Sequence, residues 1–152
     1  MIYIGIDPGK NGAYAIISTS DTWRGVRSYP WDDTLFTYEM TAIANMKVNV
    51  VAAVEKVGAM HGQGVTSMFS FGKSAGFIEG VLTALEIPYQ LVPPAVWKKE
   101  FSLIGKDKKA SVEVCRKLFP KLDLKRTERC KTDSDGKADA TLIAEYAKRK
   151  FK

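Results

Sequence analysis

The opening stretch "IYIGIDPGKNGAYAIIS", Ile2 to Ser18, constrains the fold more than any other part of the chain. One bare carboxylate, Asp7, closes an apolar run that turns at Pro8-Gly9. This pattern predicts a buried strand over Ile2–Asp7, a turn, and a second strand over Gly12–Ser18 that pairs with the first as a hairpin. An acid at the end of a buried strand is costly to desolvate unless an opposite charge sits on it. Whatever the chain folds into must account for Asp7.

The rest of the chain reads as alternating elements. "TWRGVRSYP" predicts a third strand that stops at Pro30. Thr34–Met46 has helical spacing, and "VNVVAAVEKV" is a nearly continuous apolar run of the kind buried on both faces of a parallel or mixed sheet. The glycine-rich "GAMHGQG" precedes a long helical pattern, Val65 to Leu85, and "IPYQLVPP" reads as a fifth strand. "AVWKKEFS", "KKASVEVCRKLFP" and "SDGKADATLIAEYAKRKF" read as helices, the last with cations in its final turns, where they suit the dipole. The expected architecture is α/β, a mixed five-stranded sheet flanked by helices. At 152 residues and 45% hydrophobic content, residues 1–152 are expected to form one domain.

Several classes are set aside by composition. No apolar run reaches about 18 residues, so no membrane span is expected, and no basic-then-apolar leader precedes Ile2. Cys115 and Cys130 lack CxxC spacing and His61 is the single histidine, which argues against zinc and for a reducing, cytoplasmic setting. Charge is lopsided. Residues 1–90 carry 6 Lys/Arg against 8 Asp/Glu, whereas residues 91–152 carry 17 against 9. A one-sided basic excess suits a phosphate-bearing partner, and it also suits an ordinary solvated surface.

The acids carry the chemistry. Glu55 ends the strand "NVVAAVE" as Asp7 ends the first. If the two strands are neighbours, both anions leave the same edge of the core, and a divalent cation removes their mutual repulsion. Oxygen-only ligands suit Mg²⁺ or Mn²⁺. In "TDSDGKADA", Asp135 and Asp139 stand four apart and share a helix face. Asp139 adjoins the apolar stripe Ala138, Leu142, Ile143, Tyr146 and is expected to face inward. Asp133 is a further candidate outside the helix, and either Asp133 or Asp135 alone also reads as an N-cap or a dipole partner.

The combination of "GIDPGKNGAYAII", "VEK" closing a strand and "DGKADATLIAEY" opening the last helix resembles the RuvC family of Holliday junction resolvases, in its phage-type and plastid-type branch. The resemblance runs over essentially the whole chain. It implies an RNase H-like fold and a crossover junction endodeoxyribonuclease with two Mg²⁺ ions about 3.5–4 Å apart, Mn²⁺ substituting. By that resemblance Asp7 bridges both ions, Glu55 holds one, and Asp135 and Asp139 hold the other. Family members often space the last two acids three apart, where this chain has Gly136. Many also carry a junction-opening aromatic three residues after the strand-ending Glu. That position is Gly58 here, with Phe69, Phe71 or His61 as substitutes.

Lys98, Lys106, Lys108 and Lys109 fall where the family places phosphate-binding cations, and Lys125 and Arg126 open a basic segment, "KRTERCK", expected to be mobile until DNA binds. Gly72, Gly76 and Gly80 recur at helical spacing. Each costs about 1 kcal/mol relative to Ala within a helix, so a close packing partner is expected, either the chain's own sheet or the same helix of a second subunit. The resemblance implies a two-fold homodimer, matched to the two strands of a junction. The expected partner is branched DNA. The alternatives are a YqgF-like nuclease of the same fold acting on another nucleic acid, a branched-DNA binder without catalysis, and an actin-like phosphate binder, which needs two related domains.

Overall fold

The computed structural model describes residues 1–58, 62 and 64–151. One mixed sheet has the strand order β3-β2-β1-β4-β5. Its strands are β1 (Ile2–Asp7), β2 (Ala13–Thr19), β3 (Arg24–Pro30), β4 (Val50–Glu55) and β5 (Tyr89–Val92). The first three form the antiparallel meander that the hairpin pattern predicts. β4 and β5 then add in parallel to β1. The helices are α1 (Asp33–Ala44), α2 (Val65–Ala84), α3 (Pro94–Glu100), α4 (Lys108–Leu118) and α5 (Asp135–Lys150). Elements match the sequence reading to within a few residues at each end.

The period-two rule sorts β1 between two cores. Ile2, Ile4 and Ile6 point to one face, where they meet Tyr14, Ile16, Phe36, Met40, Ile78 and Leu82 under α1 and α2. On the other face α3, α4 and α5 close over Ala53, Val92, Trp97, Cys115, Leu142 and Ile143. Between these faces Gly5 has a specific job. A Cβ there would run into the backbone of Ala140 and Ala144, so only glycine lets α5 lie directly on β1. This close approach brings the acid-bearing start of α5 to the end of β1.

Side chains set the helix starts. Asp32 caps α1 through the Leu35 amide (2.7 Å), Asp107 caps α4 through Ala110 (3.2 Å), and Ser134 caps α5 through Lys137 (3.3 Å). The cap is therefore neither Asp133 nor Asp135, while Asp135 stands in the first turn of α5, the dipole-partner position that was the other reading of it.

The glycine stripe of α2 does not face the sheet. Gly72, Gly76 and Gly80 are exposed, and a Cβ at any of them would meet nothing within 4 Å. At about 100° per residue the stripe continues through Val65 and Phe69, which are 81% and 74% exposed. Only Ile78 and Leu82 of this 20-residue helix are buried. No helix among the described residues is long and apolar enough to cross a membrane.

Candidate active site

β1 and β4 run in parallel, with Ile6 opposite Val54, so one step further along both strands stand Asp7 and Glu55. The crossing of α5 over β1 adds Asp135 and Asp139 from its first turns. Asp7, Asp135 and Asp139 line one open cleft of about 340 Å³ with the β1–β2 turn and Lys108.

Burial dominates the electrostatics. It pushes the Asp7 carboxyl well above its ordinary range, and the charges of Glu55, Asp139 and Asp135 push the same way. Burial also raises Glu55, against the Trp97 indole and the Lys98 ammonium. Asp139 is pushed up to about 6 by burial, with Ser111 and Lys98 opposing and Glu55 and Asp135 adding to it. The Ser111 hydroxyl has one proton and donates it to the Lys108 carbonyl (2.9 Å). Asp139 Oδ1 is buried without a hydrogen-bond partner among the described residues. An anionic oxygen so placed is unfavourable unless a cation reaches it.

The other two acids have partners. Glu55 Oε2 accepts from Trp97 Nε1 at 2.7 Å, and Trp97 is fully buried. Asp135 Oδ2 pairs with Lys108 Nζ at 3.2 Å, but the Lys108 side chain is 87% exposed, so this pair is worth at most about 1 kcal/mol. Among the described residues no three ligating groups converge tightly enough to enclose an ion. The donor set still fits a hard divalent cation: four carboxylates, no sulfur or imidazole, three of them with pKa raised by burial, and one oxygen without a partner among the described residues.

Gly136 explains the four-residue spacing of the last two acids. A Cβ at position 136 would collide with the Asn11 carbonyl, so the first turn of α5 seats against the β1–β2 turn only with glycine there. A carboxylate three before Asp139 has no room in this chain.

The six candidate cations divide. Lys98 bears on Asp7, Glu55 and Asp139, and its Nζ lies 5.4 Å from the Trp97 ring centroid. Lys108 is held by Asp135. Lys106 and Lys109 are exposed beside it. Lys125 and Arg126 both make hydrogen bonds to other parts of the fold. Arg126 donates to the Lys10 carbonyl (3.0 Å) and to Asn11 Oδ1 (3.3 Å), and buried Lys137 donates to the Lys125 carbonyl (2.9 Å). Asp133 takes a two-pronged contact from Arg116, with 2.6 and 2.9 Å bonds, which removes it from the acid cluster.

Sequence reasoning missed Trp97 as the partner of Glu55, since it reads as an apolar helix position. The available signal was its place just after the paired prolines that end β5. Of the junction-opening candidates, Phe71 lines the acid cleft, Phe69 lies on the exposed glycine stripe, and His61 lies outside the described residues.

No family model matches this sequence, and no curated protein matches it by sequence. Solved structures do match. Thermus thermophilus RuvC in complex with Holliday junction substrate aligns with a TM-score of 0.60 at 14% identity, over 98% of this chain and 96% of that one. The fowlpox virus resolvase in complex with Holliday junction DNA aligns with a TM-score of 0.58 at 19% identity, over the full length of both chains. The fold is the RNase H-like fold of these resolvases.

Proposed function

We propose that residues 1–152 form a single nuclease domain, a divalent-cation-dependent endonuclease that cuts branched DNA, four-way junctions above all, by phosphodiester hydrolysis. The observation that carries this reading is the buried Asp139 oxygen without a partner among the described residues, on a side chain that lines one cleft with Asp7, in a fold common to two resolvases solved with Holliday junctions. A DNA binder gains nothing from anions that face phosphates, unless cations bind there.

Asp7, Glu55, Asp135 and Asp139 would hold two Mg²⁺ or Mn²⁺ ions. Bound there, the ions supply charge neutralisation at the phosphate and a water of lowered pKa. The chain's own groups prepare the site. Trp97 fixes one oxygen of Glu55. Pro8-Gly9 turns the backbone away from Asp7, which leaves room for a phosphate. Lys98 and Lys108 place positive charge at the acid cluster, and Lys106, Lys109, Lys125 and Arg126 continue a cationic track. A homodimer joined through the exposed Gly72, Gly76 and Gly80 face of α2 gives two sites related by two-fold symmetry.

The Lys108–Asp135 pair favours a second reading, a branched-DNA binder that does not cut, because it engages one of the four carboxylates. The test is incubation with labelled four-way junctions, forks and duplexes in Mg²⁺ or EDTA. Paired symmetric nicks near the crossover, seen only with Mg²⁺, support the nuclease. Tight junction binding without nicks in Mg²⁺ or Mn²⁺ supports the binder.

A further inference from the structure

A second cleft, of about 520 Å³, opens beside the acid cleft and shares Gly9, Lys10 and Phe71 with it. Phe71 is the wall between the two. Gly9 has φ +123, and the Phe71 ring lies 3.3 Å from where a Cβ would stand, so the turn passes directly beneath the ring.

The lining is aromatic on one side and polar on the other. Trp31, Phe71 and Phe77 supply the aromatic surface. Trp31 is set in place: its amide donates to the Gly12 carbonyl at 3.1 Å, and its indole packs 4.8 Å from Phe36 and 6.1 Å from Tyr14. Phe77 is anchored on Phe36 at 6.4 Å. Ser67, Ser70 and Ser74 line the α2 side with hydroxyls, and Lys10 and Lys73 supply charge. Asp33, the one acid in the lining, accepts the Trp31 Nε1 hydrogen bond at 2.8 Å. The glycine stripe lies on the opposite side of α2: Gly72 and Gly76 each stand two positions from Ser74, about 200° round the helix.

Aromatic faces, ammonium groups and small hydroxyls together suit a nucleotide, with stacking for the base and the ammonium groups for the phosphates. We propose that this cleft receives one unstacked nucleotide of the strand being cut, its base against Trp31, Phe71 and Phe77 and its phosphates between Lys10 and Lys73. The assignment rests on the branched-DNA reading above. It adds that the nucleotide next to the scissile phosphate is taken out of its stack, and that the cut position is fixed by the reach from Phe71 to Asp7.

The test couples a change in the protein to a change in the DNA. Abasic sites are scanned across the three nucleotides on either side of the cut. Cleavage is measured with wild type, Phe71→Leu and Lys73→Ala, and binding is measured with the same set on an Asp7→Asn background. Phe71 is 39% exposed, so the leucine variant is expected to fold. The proposal predicts one position where the abasic site weakens binding and cleavage about tenfold or more, and where Phe71→Leu then costs nothing further. Losses that add at every position overturn it. Cutting with additive losses removes the cleft and keeps the nuclease. Coupled losses in binding by a protein that does not cut remove the nuclease and keep the cleft. Absence of any DNA binding removes both.

Discussion

The indole of Trp97 donates its N–H to Glu55 Oε2 at 2.7 Å from a fully buried position, so a carboxylate at the end of β4 is oriented by the helix that follows β5. The bond opposes the burial that raises the Glu55 pKa. Outer partners of this kind cost about 10–100-fold in metal affinity or activity when removed. Trp97→Phe keeps most of the packing and deletes the donor. Its cleavage rate is expected to need about tenfold or more Mg²⁺ to reach half-maximum, as read from a Mg²⁺ titration under single-turnover conditions. An unchanged titration would show that Glu55 needs no orienting group.

The buried acids make the metal-free fold sensitive to pH. Folded Asp139 holds its proton to about pH 6, whereas an ordinary aspartate releases it near 3.8. The folded state therefore binds more protons across that window, and stability falls as pH rises through it. Glu55, Asp135, Lys98 and Ser111 bear on Asp139, and the first two add to the effect. Asp7 acts in the same direction. The Asp139 part is at most about 3 kcal/mol. Thermal unfolding in EDTA should give a lower Tm at pH 7.5 than at pH 5.5, with Asp139→Asn flattening the difference. Adding Mg²⁺ at pH 7.5 should raise Tm in wild type and leave Asp7→Asn unmoved.

Gly136 offers a steric test of how α5 is seated. Gly136→Asp creates the three-residue acid spacing of the resembled family, yet its Cβ has no room against the Asn11 carbonyl. Overpacking against backbone costs typically about 1–3 kcal/mol. The variant should unfold at lower temperature than wild type, and the double change Asp135→Gly, Gly136→Asp should not restore cleavage. A double variant with wild-type rate and Tm would show that α5 slides freely on β1.

Gly76 separates assembly from folding. A Cβ there meets nothing within 4 Å, and leucine is about 0.8 kcal/mol better than glycine in a helix interior. Gly76→Leu should therefore keep or raise the Tm of the subunit while abolishing the proposed α2-to-α2 dimer in sedimentation. A dimer that survives the change would place the interface elsewhere.

Much of the fold was legible because its signals are local. The apolar runs ending in Asp7 and Glu55, the Pro-Gly turn and the amphipathic α5 each declare themselves within about ten residues, and their order fixes a mixed sheet. That order also put Asp7 and Glu55 at the ends of neighbouring parallel strands and Asp135 and Asp139 in the first turns of α5. What stayed hidden depends on contacts between distant parts of the chain. Trp97 meets Glu55 across 42 positions, and Arg126 meets Lys10 across 116. Nothing near the basic segment in sequence shows that buried Lys137 donates to the Lys125 carbonyl. Gly136 looked like a departure from a pattern until the Asn11 carbonyl appeared beside it.

The account stands most directly on Asp7. The decisive measurement is single-turnover cleavage of a labelled four-way junction in Mg²⁺ by wild type and Asp7→Asn, with junction affinity measured in parallel. The expected result is symmetric nicks by wild type, loss of cleavage by at least about a thousandfold in the variant on the scale of electrostatic catalysis, and nearly unchanged DNA affinity. Retained turnover by Asp7→Asn would contradict it.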